Sequence, residues 1–157
     1  DATFLAQRAG ARLWGSSERI AVLSAGYHSF NLYALAVLKR SFPDHPVWET
    51  DLVDRLLAPV EDVRYKNAVA DNVYAFGYNP TGIEVAFALD VFRDGAGADF
   101  WLNEQFRRCY DPATKLLRDG WDGSTLAARL YEVARIDDRE VTAVDPEGRR
   151  RPPMTSR

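Results

Sequence analysis

Cysteine occurs once in these 157 residues, methionine once and histidine twice. A lone cysteine, Cys109, excludes an intramolecular disulfide, which suits a reducing compartment. It stands in "FRRCYD" beside two arginines. With no second Cys and no His near in sequence, it reads as a buried or idle thiol rather than a nucleophile. His28 and His45 have no metal-like spacing, and HExxH and CxxC are both missing, so no zinc site is expected. GxGxxG after a strand and GxxxxGK[ST] are missing too, which leaves nucleotide cofactors unsupported. The expectation is no cofactor at all.

Positive charge is not in excess. The net charge is -3, which argues against a general nucleic-acid binder, and "RRR" at 149–151 reads as a solvated charge run. No apolar run approaches the roughly 20 residues of a membrane helix, and no signal peptide is visible. The chain is therefore read as soluble and cytoplasmic, without a membrane partner. It opens on Asp1 rather than Met, and is read as a processed protein or a piece of a longer one.

What is present is an ordinary globular composition, 46% hydrophobic and 27% charged, enough to exclude disorder along the whole length. Most of the pattern is helical. "ATFLAQRAGARLW" groups Leu5, Ala9 and Leu13 on one face. "SFNLYALAVLKRSF" and "GIEVAFALDVF" are apolar nearly all round, as buried helices are. "VWETDLVDRLL" groups Trp48, Leu52, Val53 and Leu56 with acids elsewhere, "ADFWLNEQFRRCY" has Phe100, Trp101, Phe106 and Tyr110 as anchors, and "STLAARLYEVARI" places Leu126, Leu130, Val133 and Ala134 on one stripe. Strand candidates are few: "RIAVLSA" and "REVTAV". "FPDHP" and "RDGAGA" are short turns, so each predicts an antiparallel helical hairpin. The longer connection "APVEDVRYKNAVADNVYAFGYNP" leaves room for a short helix. Residues 1–140 are read as a hairpin-repeat domain within a larger domain, and 141–157 as a flexible basic tail or linker.

Three segments share an entrance of glycine, aromatic and polar residue. They begin at Gly26, Gly77 and Gly120, spaced by 51 and 43 residues, and self-similarity at this spacing points to stacked hairpins. Helices over 28–41, 82–93 and 124–135 are expected innermost, with more amphipathic partners outside. This layering, with its "GYNP" style of loop, resembles the α/α toroids of sugar epimerases, glycoside hydrolases and polysaccharide lyases, over residues 26–135. The fold expected is mainly α, antiparallel helical hairpins forming part of an α/α toroid; the alternative is an α-solenoid.

The resemblance implies a carbohydrate-active domain with acid–base chemistry on a sugar or glycoside. A non-catalytic interaction module, or a packing domain of a larger enzyme, is the alternative. His28, Asn79 and Asp122 occupy equivalent places in the three copies. Asn and Asp there suit helix caps, whereas His28 suits proton transfer. Tyr27, Tyr78 and Trp121 precede them as rings fit to stack on a sugar or to pack beneath loops. Glu84 stands alone on an apolar helix, either as a partner of the helix dipole or as a cavity-facing acid with a raised pKa. Asn31 is similarly isolated. In "NPTG", Pro80 restricts the backbone, and Gly82 permits an unusual angle or a close approach. The expected catalytic pair is Glu84 and His28; the expected substrate-binding residues are Tyr27, Asn31, Tyr78, Asn79, Trp121 and Asp122. The expected partners are a sugar-like ligand and a missing chain segment or second subunit.

Overall fold

The computed structural model of the chain describes residues 16–118 and 122–141. The helix expected over residues 2–14, Trp121, and the tail from 142 onward lie outside them. The chain is mainly α. Six α-helices are described: α1 (Ser16–Ser41), α2 (Leu52–Glu61), α3 (Val63–Ala70), α4 (Thr81–Arg93), α5 (Ala98–Cys109) and α6 (Gly123–Val133). A 3-10 turn, Pro46–Glu49, precedes α2, and two-residue strands β1 (Tyr110–Asp111) and β2 (Leu116–Leu117) pair antiparallel after α5.

The core forms around α4. Every residue of α4 from Thr81 to Leu89 is buried. Fully burying each large side chain there, such as Ile83, Phe87 and Leu89, contributes about 1.5–3 kcal/mol before entropy is counted. The helix stops where Asp94 adopts a left-handed backbone, φ 49°, followed by Gly95 at φ 77°. The Gly95 amide then closes onto the Leu89 carbonyl at 3.0 Å. Gly97, also left-handed, starts α5, so "RDGAGA" reverses the chain in four residues and α4 and α5 lie antiparallel. At their crossing, a Cβ on Gly82 would strike the Trp101 carbonyl oxygen and the Gln105 Cβ. Close approach is thus the role of Gly82. It is absent from the positive-φ residues, which corrects the expectation of an unusual angle.

α1 crosses α4 in the same direction. Ser29 meets Glu84, Tyr33 packs on Phe87, and Arg40 bonds Asp90. α6 also runs parallel to α4, with Arg129 at Glu84 and Arg135 over Phe87. The other hairpin folds α2 back along α1: Trp48 Nε1 donates to the Phe42 carbonyl, and His28 meets the Leu56 carbonyl. His45 caps the intervening 3-10 turn by accepting from the Val47 amide.

Several expectations change here. "RIAVLSA" is not a strand but the interior of α1, because it is continuous with the apolar helix that follows. "REVTAV" has no regular structure over 139–141, and its remainder lies outside the described residues. Gly26 does not open a helix: α1 starts at Ser16 and runs through it, so one of the three repeat entrances is helix interior. Of the three helices expected innermost, only α4 is enclosed. α6 buries Leu126 alone, and α1 leaves Ile20, Phe30 and Leu38 exposed. The expectation that no segment has the length of a membrane helix changes too. Arg19–Ser41 is 23 residues long with an 18-residue window of mean hydropathy 1.3, enough by length and composition to cross a membrane. In the fold the same helix holds Gly26, Ser29, Leu32 and Ala36 buried.

Gly82→Ala should therefore destabilise the fold although alanine is the better helix former. Overpacking costs about 1–3 kcal/mol, against a propensity gain of about 1 kcal/mol or less. Urea denaturation checks this; a midpoint equal to or above that of the parent would mean the α4–α5 crossing is looser than the structure shows.

Candidate functional site

Three helices bring polar side chains together at the first turn of α4. From α1, Ser29 Oγ donates to Glu84 Oε2 at 2.9 Å and lies 3.2 Å from Thr81 Oγ1. From α6, Arg129 Nε donates to Glu84 Oε1 at 3.2 Å. Glu84 is 0% exposed, and the Arg129 side chain 16%. The Arg129 guanidinium also lies over the Tyr33 ring, 3.9 Å from its centroid, where ring electrons attract a cation. Burial pushes the Glu84 carboxyl above its ordinary value; the Ser29 hydrogen bond and the Arg129 charge pull it down, and burial wins. Tyr65 is raised as well, first by burial and then by the Glu84 charge. Arg129 and Ser29 thus keep a carboxylate tolerable where it would otherwise be very costly.

Side-chain amides fix the loop that delivers α4. Asn79 Nδ2 donates to the Gly26 and Tyr74 carbonyls at 2.9 and 2.8 Å. Asn72 donates to the Val22 carbonyl at 2.8 Å and accepts from the Tyr74 amide. Gln105 of α5 donates to the Phe76 carbonyl and accepts from the Gly82 amide, both at 3.0 Å. The last bond satisfies a free N–H of the first turn of α4. It matters because the N-cap, Pro80, makes no side-chain cap bond.

The expected site residues separate on this frame. Asn79 is not a helix cap; it ties the loop to α1. Asp122 does cap α6, accepting from the Thr125 amide at 2.9 Å, and that bond holds its carboxyl below the usual range. Asn31 is on the exposed side of α1. Tyr27 and Tyr78 form a ring cluster with Tyr74, their centroids 5.7–6.2 Å apart. His28 and Glu84 have different partners. The partners of Glu84 are Ser29 and Arg129, whereas His28 Nε2 meets the Leu56 carbonyl at 2.8 Å, with its ring edge-on to Tyr65. A carbonyl only accepts, so Nε2 carries the proton. A small apolar cavity lies among Leu32, Trp48, Leu52, Val53, Leu56 and Phe92, and neither Glu84 nor His28 lines it. Among the described residues no three His, Cys, Asp or Glu side chains are grouped to hold a metal.

The reading from sequence missed Arg129 and Gln105. Both carried a signal. Gln105 lies on the apolar period Trp101, Leu102, Cys109, and Arg129 on the period Leu126, Leu130, Val133. A polar residue in a buried stripe has to find a partner.

The chain is 45% identical over 129 residues to the archaeal glycosylation protein Q of Haloferax volcanii. The match takes in 80% of the chain and 35% of the relative, so the chain spans about a third of the length of the curated relative it matches. No protein-family model matches it, and no solved structure does. These findings overturn the resemblance to α/α-toroid epimerases and glycoside hydrolases. The relative is named for glycosylation, not for hydrolysis or epimerisation, and no toroid structure is matched. Nor do they support the alternatives of an interaction module or a packing domain. The physical reason is visible in α1: the glycine-aromatic-polar triplet at Gly26 lies inside a helix, where the glycine allows close approach of the loop at Asn72 and Tyr74.

Two measurements follow. An unfolded Glu84 titrates near its ordinary value of 4.5, the folded one higher. As pH rises past that value the unfolded chain loses the proton first, so stability falls until the folded group has titrated too. Below the ordinary value both states are protonated and the contribution is flat. The stability of the parent minus that of Glu84→Gln should therefore decline from pH 4 towards neutral. A difference that grows with pH would mean that Arg129 outweighs burial. Separately, Gln105→Leu strands the Gly82 amide and leaves the Phe76 carbonyl only the weak Cys109 thiol contact at 3.8 Å. The expected cost is about 1–3 kcal/mol for each group left unpaired, read by thermal unfolding; an unchanged melting temperature would show that the amide contributes nothing.

Proposed function

We propose that this chain forms a helical portion of a protein that takes part in protein glycosylation. The observation that carries the reading is the 45% identity over 129 residues to a relative named for that process. Identity at this level over four-fifths of the chain implies a shared backbone, and the Glu84–Arg129 arrangement gives that backbone a centre. Both Glu84 oxygens are met within the bundle, by Ser29 and Arg129, so the contribution we assign the arrangement is to fix three helices in register. A sugar-like group is the ligand class we assign, with Tyr27 and Tyr78 as the rings to meet it. Both are partly exposed and lie beside the loop that Asn79 holds. Aromatic faces of this kind combine apolar area with a hydroxyl tip.

The test is a chimera. In a Haloferax volcanii strain lacking glycosylation protein Q, the matched segment of that protein is replaced by the aligned part of this chain, and the glycan mass on a native glycoprotein is measured. Restoration of the parental mass is expected. A chimera that accumulates to the native level, yet leaves the mass of the deletion strain, would refute the proposal. Replacing Tyr27 and Tyr78 by Ala in a working chimera should lower the glycosylated fraction, with the fold retained by circular dichroism.

A further inference from the structure

The outward side of α1 is without charge. Between Arg19 and Arg40 every exposed residue of the helix is uncharged, among them Ile20, Phe30, Asn31, Ala34 and Leu38. Phe42 continues the line just past the helix end. Their exposure is substantial: 63% for Ile20, 44% for Phe30, 46% for Leu38 and 61% for Phe42. Phe30, Ala34, Leu38 and Phe42 follow one another at four-residue spacing, the interval that stacks side chains along one helix face. Solvated helix faces carry charge, whereas apolar faces depleted of it are characteristic of interface cores. The basic residues at the end of α1 do not rim this face. Lys39 reaches the Pro43 carbonyl, and Arg40 reaches Asp90 and the Arg135 carbonyl.

We infer that this face of α1 is an interface, and that its occupant is further polypeptide of the same protein. The occupant follows from length. The matched relative carries about two-thirds of its chain outside the region shared here. That much polypeptide is enough for a domain of its own, joined to this one covalently and therefore present at high effective concentration. Asn31, uncharged and within the face, becomes a contact residue rather than one lining a substrate cavity. A membrane span is a poorer occupant, because the opposite side of α1 is already engaged: Ser29 with Glu84, and Leu32 and Ala36 within the core. The inference rests on the length of the relative and on this surface. It does not depend on the glycosylation reading and can stand or fall separately.

The experiment supplies the missing part in trans. The full 157-residue chain is immobilised, and the portion of Haloferax volcanii glycosylation protein Q outside the matched segment, shown by circular dichroism and sedimentation to be folded and monodisperse, is passed over it as a separate polypeptide. Retention is expected. Leu38→Glu and Phe30→Glu should each weaken it at least tenfold, while Val63→Glu, on an exposed position of α3, should leave it unchanged. All three positions are exposed, and circular dichroism confirms that each variant keeps its helix content. Failure of the parent to retain the remainder, or equal retention by Leu38→Glu, overturns the inference. So does a chain that dimerises in sedimentation, or that co-sediments with anionic phospholipid vesicles, in a Leu38-dependent way; either result gives the face to a different occupant.

Discussion

Burying Glu84 to zero exposure in the first turn of α4 incurs a desolvation penalty of several kcal/mol. A lone carboxylate there would stay protonated or force the helix outward. The bundle answers from two directions, with the Ser29 hydroxyl of α1 and the Arg129 guanidinium of α6. Each donor reaches its oxygen only if its helix holds one particular rotation and height against α4. The ion pair therefore matters more for register than for net stability, since apolar substitutes of similar volume are often as stable. α1, α4 and α6 run parallel, and their contacts step along together from Ser29, Glu84 and Arg129 to Arg40, Asp90 and Arg135.

The loop before α4 solves a second problem with the same chemistry. Residues 71–80 turn between two helices while largely buried, so their backbone groups need partners that no regular ladder supplies. Asn72, Asn79 and Gln105 provide them, because one side-chain amide can donate and accept at once. Asn72 and Asn79 reach the carbonyls of Val22 and Gly26, one turn apart on α1. The loop is thereby attached to α1 on one side and to α5 on the other. Gly26 and Gly82 are the points where these attachments allow no Cβ.

Around this centre the surface is uneven. Charged pairs lie on α2, the C-terminal end of α4 and α5, such as Arg93–Asp54 and the Glu104 cluster with Arg107 and Arg108. The Arg139–Asp99 pair fastens the segment after α6 to the start of α5. Among the described residues, α1 has no such charged pairs over most of its outward side.

The helical class, the two hairpin turns and the apolar character of α4 were legible in the sequence, because helical period and turn residues act locally. So was the oddity of Glu84, an acid in an apolar run. The sequence alone did not show where α1 begins, since "RIAVLSA" suits a strand as well as a buried helix until its neighbours are known. Nor did it show which of three similar helices would be enclosed, or that His28 and Glu84 would face different partners. Only the tertiary structure decided that Asn79 ties a loop rather than capping a helix, and that Arg129, 45 residues away, neutralises Glu84. The reason is physical: propensity and period are properties of a segment, whereas the partner of a buried charge is set by which helix crosses above it.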